Sequence, residues 1–444
     1  MPSPTSPQLK FQDPEHLLEL KRSALHSHFR RAVDDLADTS DYPRLKAFLP
    51  QNLWPWVKDY LKYAFKRKHP FATYPTSGNQ GVYGMRASDA GQVFRISISG
   101  DWGTGTAEAA RVASAMNSFH PDYTIHLGDV YYVGDTPEVN ENCLGQTVSG
   151  YQGVMWPKGK VGSFSMNGNH EMYANGNAYF DTFIKMLGVP ASEDKIQLAS
   201  FFCLENEYWR LLGLDTGYNS AGLPILGAIP IVNRIPFVGA DCKLEDGLIQ
   251  WLRATIQPKR KPLPTIVLTH HQCFSAFERG YPRPAKQLAE FFAGQEVVWI
   301  WGHEHRMAIY DRYTVAGIPM YARCVGHGGM PVELKAVSNT DMPLQYYDRR
   351  VYATYDNAKV GINGFLNIEL AGNKVTLDYR DLDNQSVLVE TFTSAGTAMA
   401  HAFVRVDPGL SKGSAASKPL AQPAGTATTD SGPSLGTPTS RRSQ

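Results

Sequence analysis

Five short clusters in this 444-residue chain carry side chains suited to binding cations. They are Gly100-Asp101-Trp102-Gly103, Gly128-Asp129-Val130-Tyr131-Tyr132, Gly168-Asn169-His170-Glu171, Thr269-His270-His271 and Gly302-His303-Glu304-His305. Two Asp, one Asn, three His and a Tyr drawn from them supply oxygen and nitrogen donors without a thiolate. That mix suits iron, manganese or zinc better than a soft metal or calcium. A single carboxylate able to bridge would hold two cations about 4 Å apart, the spacing at which a metal pair clamps the attacking and leaving oxygens of a phosphoryl transfer. His303 and His305 stand two apart, so on extended backbone both point the same way. The glycines ahead of the ligands let the chain turn sharply and pass close to the ions.

Apolar β runs lead into these clusters. Val93 to Ser99 ends at Gly100-Asp101, Tyr123 to Leu127 at Gly128-Asp129, and Ser163 to Met166 precedes Gly168-Asn169. Ile266 to Leu268 leads to Thr269-His270, and Val297 to Trp301 leads to Gly302-His303. Sites in open α/β sheets form beyond the carboxyl ends of strands, so five strand ends can deliver one constellation. Ala107 to Phe119 reads as a helix. Later strands at Gly364–Leu370, Lys374–Tyr379 and Val387–Thr393 close a mixed sheet or sandwich, and the fold class is α/β.

The flanks differ in pattern. Residues 1 to 90 read as a helical extension. Asp13-Pro14 makes a helix start, and Leu18, Leu25, Phe29, Val33 and Leu36 recur at helical spacing. A second helix is expected from Trp56 to Lys66, with Lys66-Arg67-Lys68 as its solvated end. No strand pattern appears before Val93. Residues 408 to 444 are Ser, Thr, Ala, Gly and Pro with almost nothing bulky to bury, and read as a disordered tail. The working division is 1–90, a folded domain over 91–400, and the tail from 408.

Composition excludes several classes. With 43 Lys+Arg against 42 Asp+Glu, the chain lacks the basic excess of a dedicated nucleic-acid binder. Five cysteines, none in a C-x-x-C pair, argue against a disulfide scaffold or a cysteine zinc module and suit a reducing compartment. The N-terminus has no apolar core of a secretory signal, so the cytoplasm is expected. No run of about 18 apolar residues marks a transmembrane helix. The nearest stretch, Gly222 to Val238, is broken by Pro224, Pro230 and Pro236 and reads as a packed connection rather than a lid. His126, His120 and His327 read as structural.

The five blocks closely resemble the calcineurin-like metallophosphoesterase superfamily, whose pattern is D-x-H, G-D, G-N-H-[DE], a lone His and G-H-x-H. Gly103 stands where the common pattern has His. The purple acid phosphatase branch also writes G-D-x-G there, and supplies instead a Tyr three residues after the second Asp, here Tyr132. Tyr131 is adjacent, and either ring could be core packing. The resemblance spans about Val93 to Met330. It implies a layered α/β sandwich of mixed sheets flanked by helices. It implies two metal ions, iron paired with iron, zinc or manganese. Metal one would take Asp101, Tyr132 and His305, metal two Asn169, His270 and His303, with Asp129 bridging.

The implied chemistry is in-line attack of a metal-bound hydroxide on a small phosphate ester. His170 would bind the phosphate or protonate the leaving group, with His271 a second candidate. Glu171 and Asp215 would orient imidazoles. Phosphomonoester hydrolysis leads. A phosphodiesterase on cyclic nucleotide, nucleic acid or phospholipid head group is the alternative, and a non-catalytic metal-binding module is the third reading.

Overall fold

The computed structural model describes residues 62–63, 66–88, 92–150, 152–189, 196–220, 241–355 and 358–413. Strand alternation sets the layering. In Thr265–Thr269, Ile266 and Leu268 face one core while Val267 faces another. In Val297–Trp301, Val298 and Ile300 join the first core, and Val297, Trp299 and Trp301 the second. Both strands run parallel within a ten-stranded mixed sheet. A seven-stranded mixed sheet holds Phe94–Ser99, Tyr123–His126 and Gly162–Ser165 side by side and parallel. Its antiparallel half comprises Gly364–Ala371, Lys374–Asp381, Ser386–Ala395 and Ala398–Val406. Ile96, Ile98, Ile125 and Phe164 of this sheet share one core with Ile266, Leu268, Val298 and Ile300 of the other. The two sheets therefore pack face to face.

Helices cover the outer faces. Helix Ala107–Ser118 packs with Phe365 and Leu382. Its start is fixed by Thr106, whose hydroxyl accepts from the Ala109 amide at 3.1 Å, the usual N-cap contact. Asp246–Trp251 and Arg283–Phe292 cover the ten-stranded sheet through Leu248, Leu288 and Phe292. The result is the layered α/β sandwich that the resemblance implies.

Arg323 and Glu390 tie the two sheets together. Both are fully buried. The Arg323 Nε and one terminal nitrogen donate to the two Glu390 oxygens at 2.5 and 2.6 Å. Tyr379 donates to the same carboxylate at 2.8 Å, and His401 Nε2 lies 2.7 Å from it.

Several expectations are revised. Val82–Gly84 is a strand pairing in parallel with Phe202–Glu205; at three residues it is too short to carry an alternation signal. The folded chain continues past Pro408, since Ser411–Lys412 pairs with Tyr346–Tyr347. Lys68 is no solvated helix end: its ammonium donates to the Tyr218 carbonyl at 2.5 Å and sits 3.5 Å from that ring's centre. The helix expected from Asp13, most of the one from Trp56, the stretch 222–238 and the tail beyond 413 lie outside the described residues. All five cysteines are buried free thiols. No helix among the described residues is long and apolar enough to cross a membrane.

Candidate metal centre

Loops at the carboxyl ends of five strands interlock through their backbones. The Asp101 amide donates to the Gly128 carbonyl at 3.1 Å, and the Gly302 amide to the His270 carbonyl at 3.1 Å. Gly128 (φ +102°) has no room for a Cβ, which would lie 2.8 Å from His270 Nδ1. At Gly168 a Cβ would lie 2.1 Å from Asp129 Oδ1. Close approach explains these two glycines. Asp101, Asp129 and His303 hold left-handed φ values of 57°, 76° and 63°. Non-glycine residues there carry strain of about 1 kcal/mol or more, and such residues cluster at functional sites.

Asp101, Asp129, Asn169, His270 and His305 converge with buried side chains. Asp101 Oδ1 lies 3.4 Å from His305 Nε2, and its Oδ2 accepts from the His303 amide at 2.7 Å. Asp129 Oδ2 lies 3.3 Å from His270 Nε2. Asn169 Oδ1 is 3.2 Å from that same nitrogen. His270 Nδ1 lies 2.8 Å from the Leu127 carbonyl. A carbonyl only accepts, so Nδ1 carries a proton and Nε2 is the nitrogen that faces the acidic oxygens. Burial pushes the His270 imidazole down, but Asp129 outweighs it and lifts it to about 9. A positive charge is thus favoured among these acceptors. His303 is pushed down to about 3 by burial and by neighbouring His270, leaving a neutral imidazole.

His303 does not reach the cluster on extended backbone as its spacing suggests. A tight turn, with the Glu304 amide on the Gly302 carbonyl at 2.7 Å, brings both histidines in. The His303 ring meets His270 edge-on and His271 at a tilt, with ring centres at 5.2 and 4.4 Å. His270, His271 and His303 each offer an atom within 4.8 Å of one another, as do Asp101, Asp129 and His270.

At the tyrosine pair, the ring that points into the cluster is not that of Tyr132. The phenol in the cluster is that of Tyr131, which donates to Asp101 Oδ1 at 2.7 Å and Asp129 Oδ2 at 3.1 Å, and lies 3.0 Å from His305 Nε2. The Tyr132 ring instead packs by Val133 and Ala174. Tyr132 contributes backbone: its amide donates to Glu138 Oε1 and its carbonyl faces His170 Nδ1, both at 2.5 Å. Glu138 also accepts from the Val133 and Gly134 amides at 2.9 and 2.8 Å. One carboxylate, from the capping box of helix Thr136–Asn142, thereby fixes the loop and decides which ring points inward.

His170 and His271 adjoin the cluster. His170 Nε2 is 3.9 Å from Asp129 Oδ2. His271 Nδ1 is 3.1 Å from the Thr216 hydroxyl. Among the described residues, neither Glu171 nor Asp215 hydrogen-bonds an imidazole. Glu171 Oε2 accepts from the Asp129 and Gly168 amides at 3.2 and 3.0 Å. Asp215 accepts from the Tyr218 amide and the Ser200 hydroxyl. Sequence reasoning did not find Thr216, Glu138 or Tyr281, whose ring meets His271 edge-on at 5.3 Å. None stands in a motif, and only the fold brings them near.

Residues 94–307 match the family model of the calcineurin-like phosphoesterases. Among solved structures it is similar to purple acid phosphatase PPD1 from yellow lupin (Lupinus luteus) seeds, at 15% identity and a TM-score of 0.41. That match covers 68% of this chain and 54% of the lupin chain, so the protein spans about half the length of that structure. It is also similar to PhoD, at 12% identity and a TM-score of 0.44 over 71% of this chain and 73% of that one. A third is GAP50, the anchor in the inner membrane complex of Plasmodium, at 14% identity and 0.42, covering 73% and 92%. No curated protein matches the chain.

Proposed function

We propose that the protein is a dinuclear-metal phosphoesterase acting on phosphate monoesters. The observation that carries this reading is the convergence of Asp101, Asp129, Asn169, His270 and His305 oxygens and nitrogens in a buried space at the strand ends. Nearly all of these atoms are acceptors, a donor set that fits cations. Asp101, His305 and the Tyr131 phenol would hold one ion. Asn169, His270 and His303 would hold the second, with Asp129 between them. Two ions held there would supply Lewis acidity to offset phosphoryl charge and to make water a better nucleophile.

The chain's own groups do the rest. The Leu127 carbonyl keeps His270 in the tautomer that directs Nε2 at Asp129. His170 Nδ1 is engaged by the Tyr132 carbonyl, so its other nitrogen is the one able to hold a proton for the leaving oxygen. Loops closing over buried carboxylates exclude bulk water and strengthen each charge interaction.

The test is hydrolysis of p-nitrophenyl phosphate and bis-p-nitrophenyl phosphate by protein reconstituted with iron, zinc or manganese. Faster turnover of the monoester is expected. A dominant diester rate replaces the monoester reading with a phosphodiesterase, and no turnover of either with metal bound makes the protein a binding module.

A further inference from the structure

Beside the metal centre, Arg279, Tyr281, Arg283 and Lys286 line an open cleft of about 520 Å³, with Asp241 and Gln287 completing the wall. Tyr281 links cleft and centre. Its ring lies 5.3 Å from His271 and 6.2 Å from His303, centre to centre, and the Arg279 guanidinium carbon lies 5.4 Å from it. That guanidinium is therefore no farther from the His303 ring than those last two distances laid end to end. Arg283 pairs with Asp241. Arg279 and Lys286 are exposed and have no carboxylate partner among the described residues. The whole chain carries a net charge of only +1, so two unpaired cations within one cleft are a local feature rather than general basicity.

We infer that this cleft is an anion subsite taking a second phosphate group, carried on the leaving portion of the substrate. The position of the reacting phosphate rests on the phosphoesterase reading. A phosphate bound at the metal centre has Tyr281 on the side of His271 and His303, and groups extending that way meet Arg279 and Lys286. A planar guanidinium fork and a mobile ammonium together match a phosphate dianion with several acceptor oxygens. A carboxylate carries one negative charge against these two cations, a phosphate dianion two. Tyr281 supplies the apolar floor between the two anion sites. The preferred substrate class is thus the bisphosphorylated small molecule rather than a simple monoester.

The test is equilibrium binding to the metal-loaded full chain, by calorimetry, of propylphosphonate and propane-1,3-diphosphonate, neither of which can be hydrolysed. Wild-type protein is expected to favour the diphosphonate by about fivefold, as two solvent-exposed ion pairs allow, and Arg279→Ala/Lys286→Ala to bring the ratio close to one. No preference in the wild type, or a ratio unchanged in the double variant, overturns the subsite. The same preparations are assayed on p-nitrophenyl phosphate and bis-p-nitrophenyl phosphate. A wild-type diphosphonate preference that the double variant loses, without turnover of either ester, leaves the subsite standing and removes the phosphoesterase reading. Binding of neither phosphonate removes the subsite.

Discussion

A single phenol separates two readings of the centre. Tyr131 and Tyr132 are neighbours of the same type, and motif spacing from Asp129 favours the second. The inward ring is Tyr131, because Tyr132 spends its ring on Val133 and Ala174 and its backbone on Glu138 and His170. With ferric iron in the site, Tyr131→Phe is expected to abolish the visible phenolate band and Tyr132→Phe to keep it; absorbance spectra of the two variants decide, and the opposite pattern returns the role to Tyr132. Asp129 contacts His270 and Tyr131 and lies near His170. Asp129→Asn should cost about 100-fold or more in turnover and His271→Ala about tenfold, since removing partners outside the ligand sphere typically costs about 10–100-fold. Steady-state rates on p-nitrophenyl phosphate check the order, and a greater loss in His271→Ala refutes the bridging role. At this scale the polar residues were readable because each stands in a short motif at a strand end. The choice between adjacent tyrosines was not, because it depends on how Glu138, a residue outside the motif, grips the loop.

The five loops work as elements rather than as isolated ligands. Glu138 closes the capping box of its own helix while collecting the amides of Tyr132, Val133 and Gly134. Glu138→Ala leaves those amides without an acceptor, costing about 2 kcal/mol or more, and frees the tyrosine loop. The expected result is a lower thermal midpoint together with a weakened phenolate band. A lower midpoint with an unchanged band means the glutamate supports the helix alone. The parallel strands were legible as apolar runs ending in turn residues, and so was the helix from Ala107. Val82–Gly84 was not, because an edge strand of three residues has no periodicity to read. The path of His303 was also hidden. Two histidines two residues apart suggest extended chain, whereas a left-handed residue in a tight turn achieves the convergence.

Across the whole molecule, two sheets must keep a fixed relation for ligands from both to meet. Asp101, Asp129 and Asn169 come from the seven-stranded sheet, and His270, His303 and His305 from the ten-stranded one. The inter-sheet core does most of this, and the buried Arg323–Glu390 pair adds a specific tie. No sequence signal linked two residues 67 positions apart. Burial pushes the Glu390 carboxyl up, and Arg323 with a hydrogen bond from His401 more than reverses it, to about 2 from 4.5. A carboxyl depressed by folding stabilises above its unfolded value and loses that contribution as the pH falls. The stabilisation is therefore complete above about pH 4.5 and lost between there and pH 2, on the order of 3 kcal/mol. Urea midpoints should decline over that window in the wild type. In Glu390→Gln the decline should be smaller, from a starting stability about 3–5 kcal/mol lower because Arg323 is left buried and unpaired. Equal declines in both remove Glu390 as the titrating group. The central claim, that both sheets jointly hold a pair of ions sharing Asp129, is tested most directly by metal content per chain of purified, reconstituted protein, wild type beside Asp129→Asn. Close to two ions per wild-type chain, with the loss of at least one in the variant, is the result this account predicts. Fewer than one ion per wild-type chain, or a stoichiometry unaffected by Asp129→Asn, would contradict it.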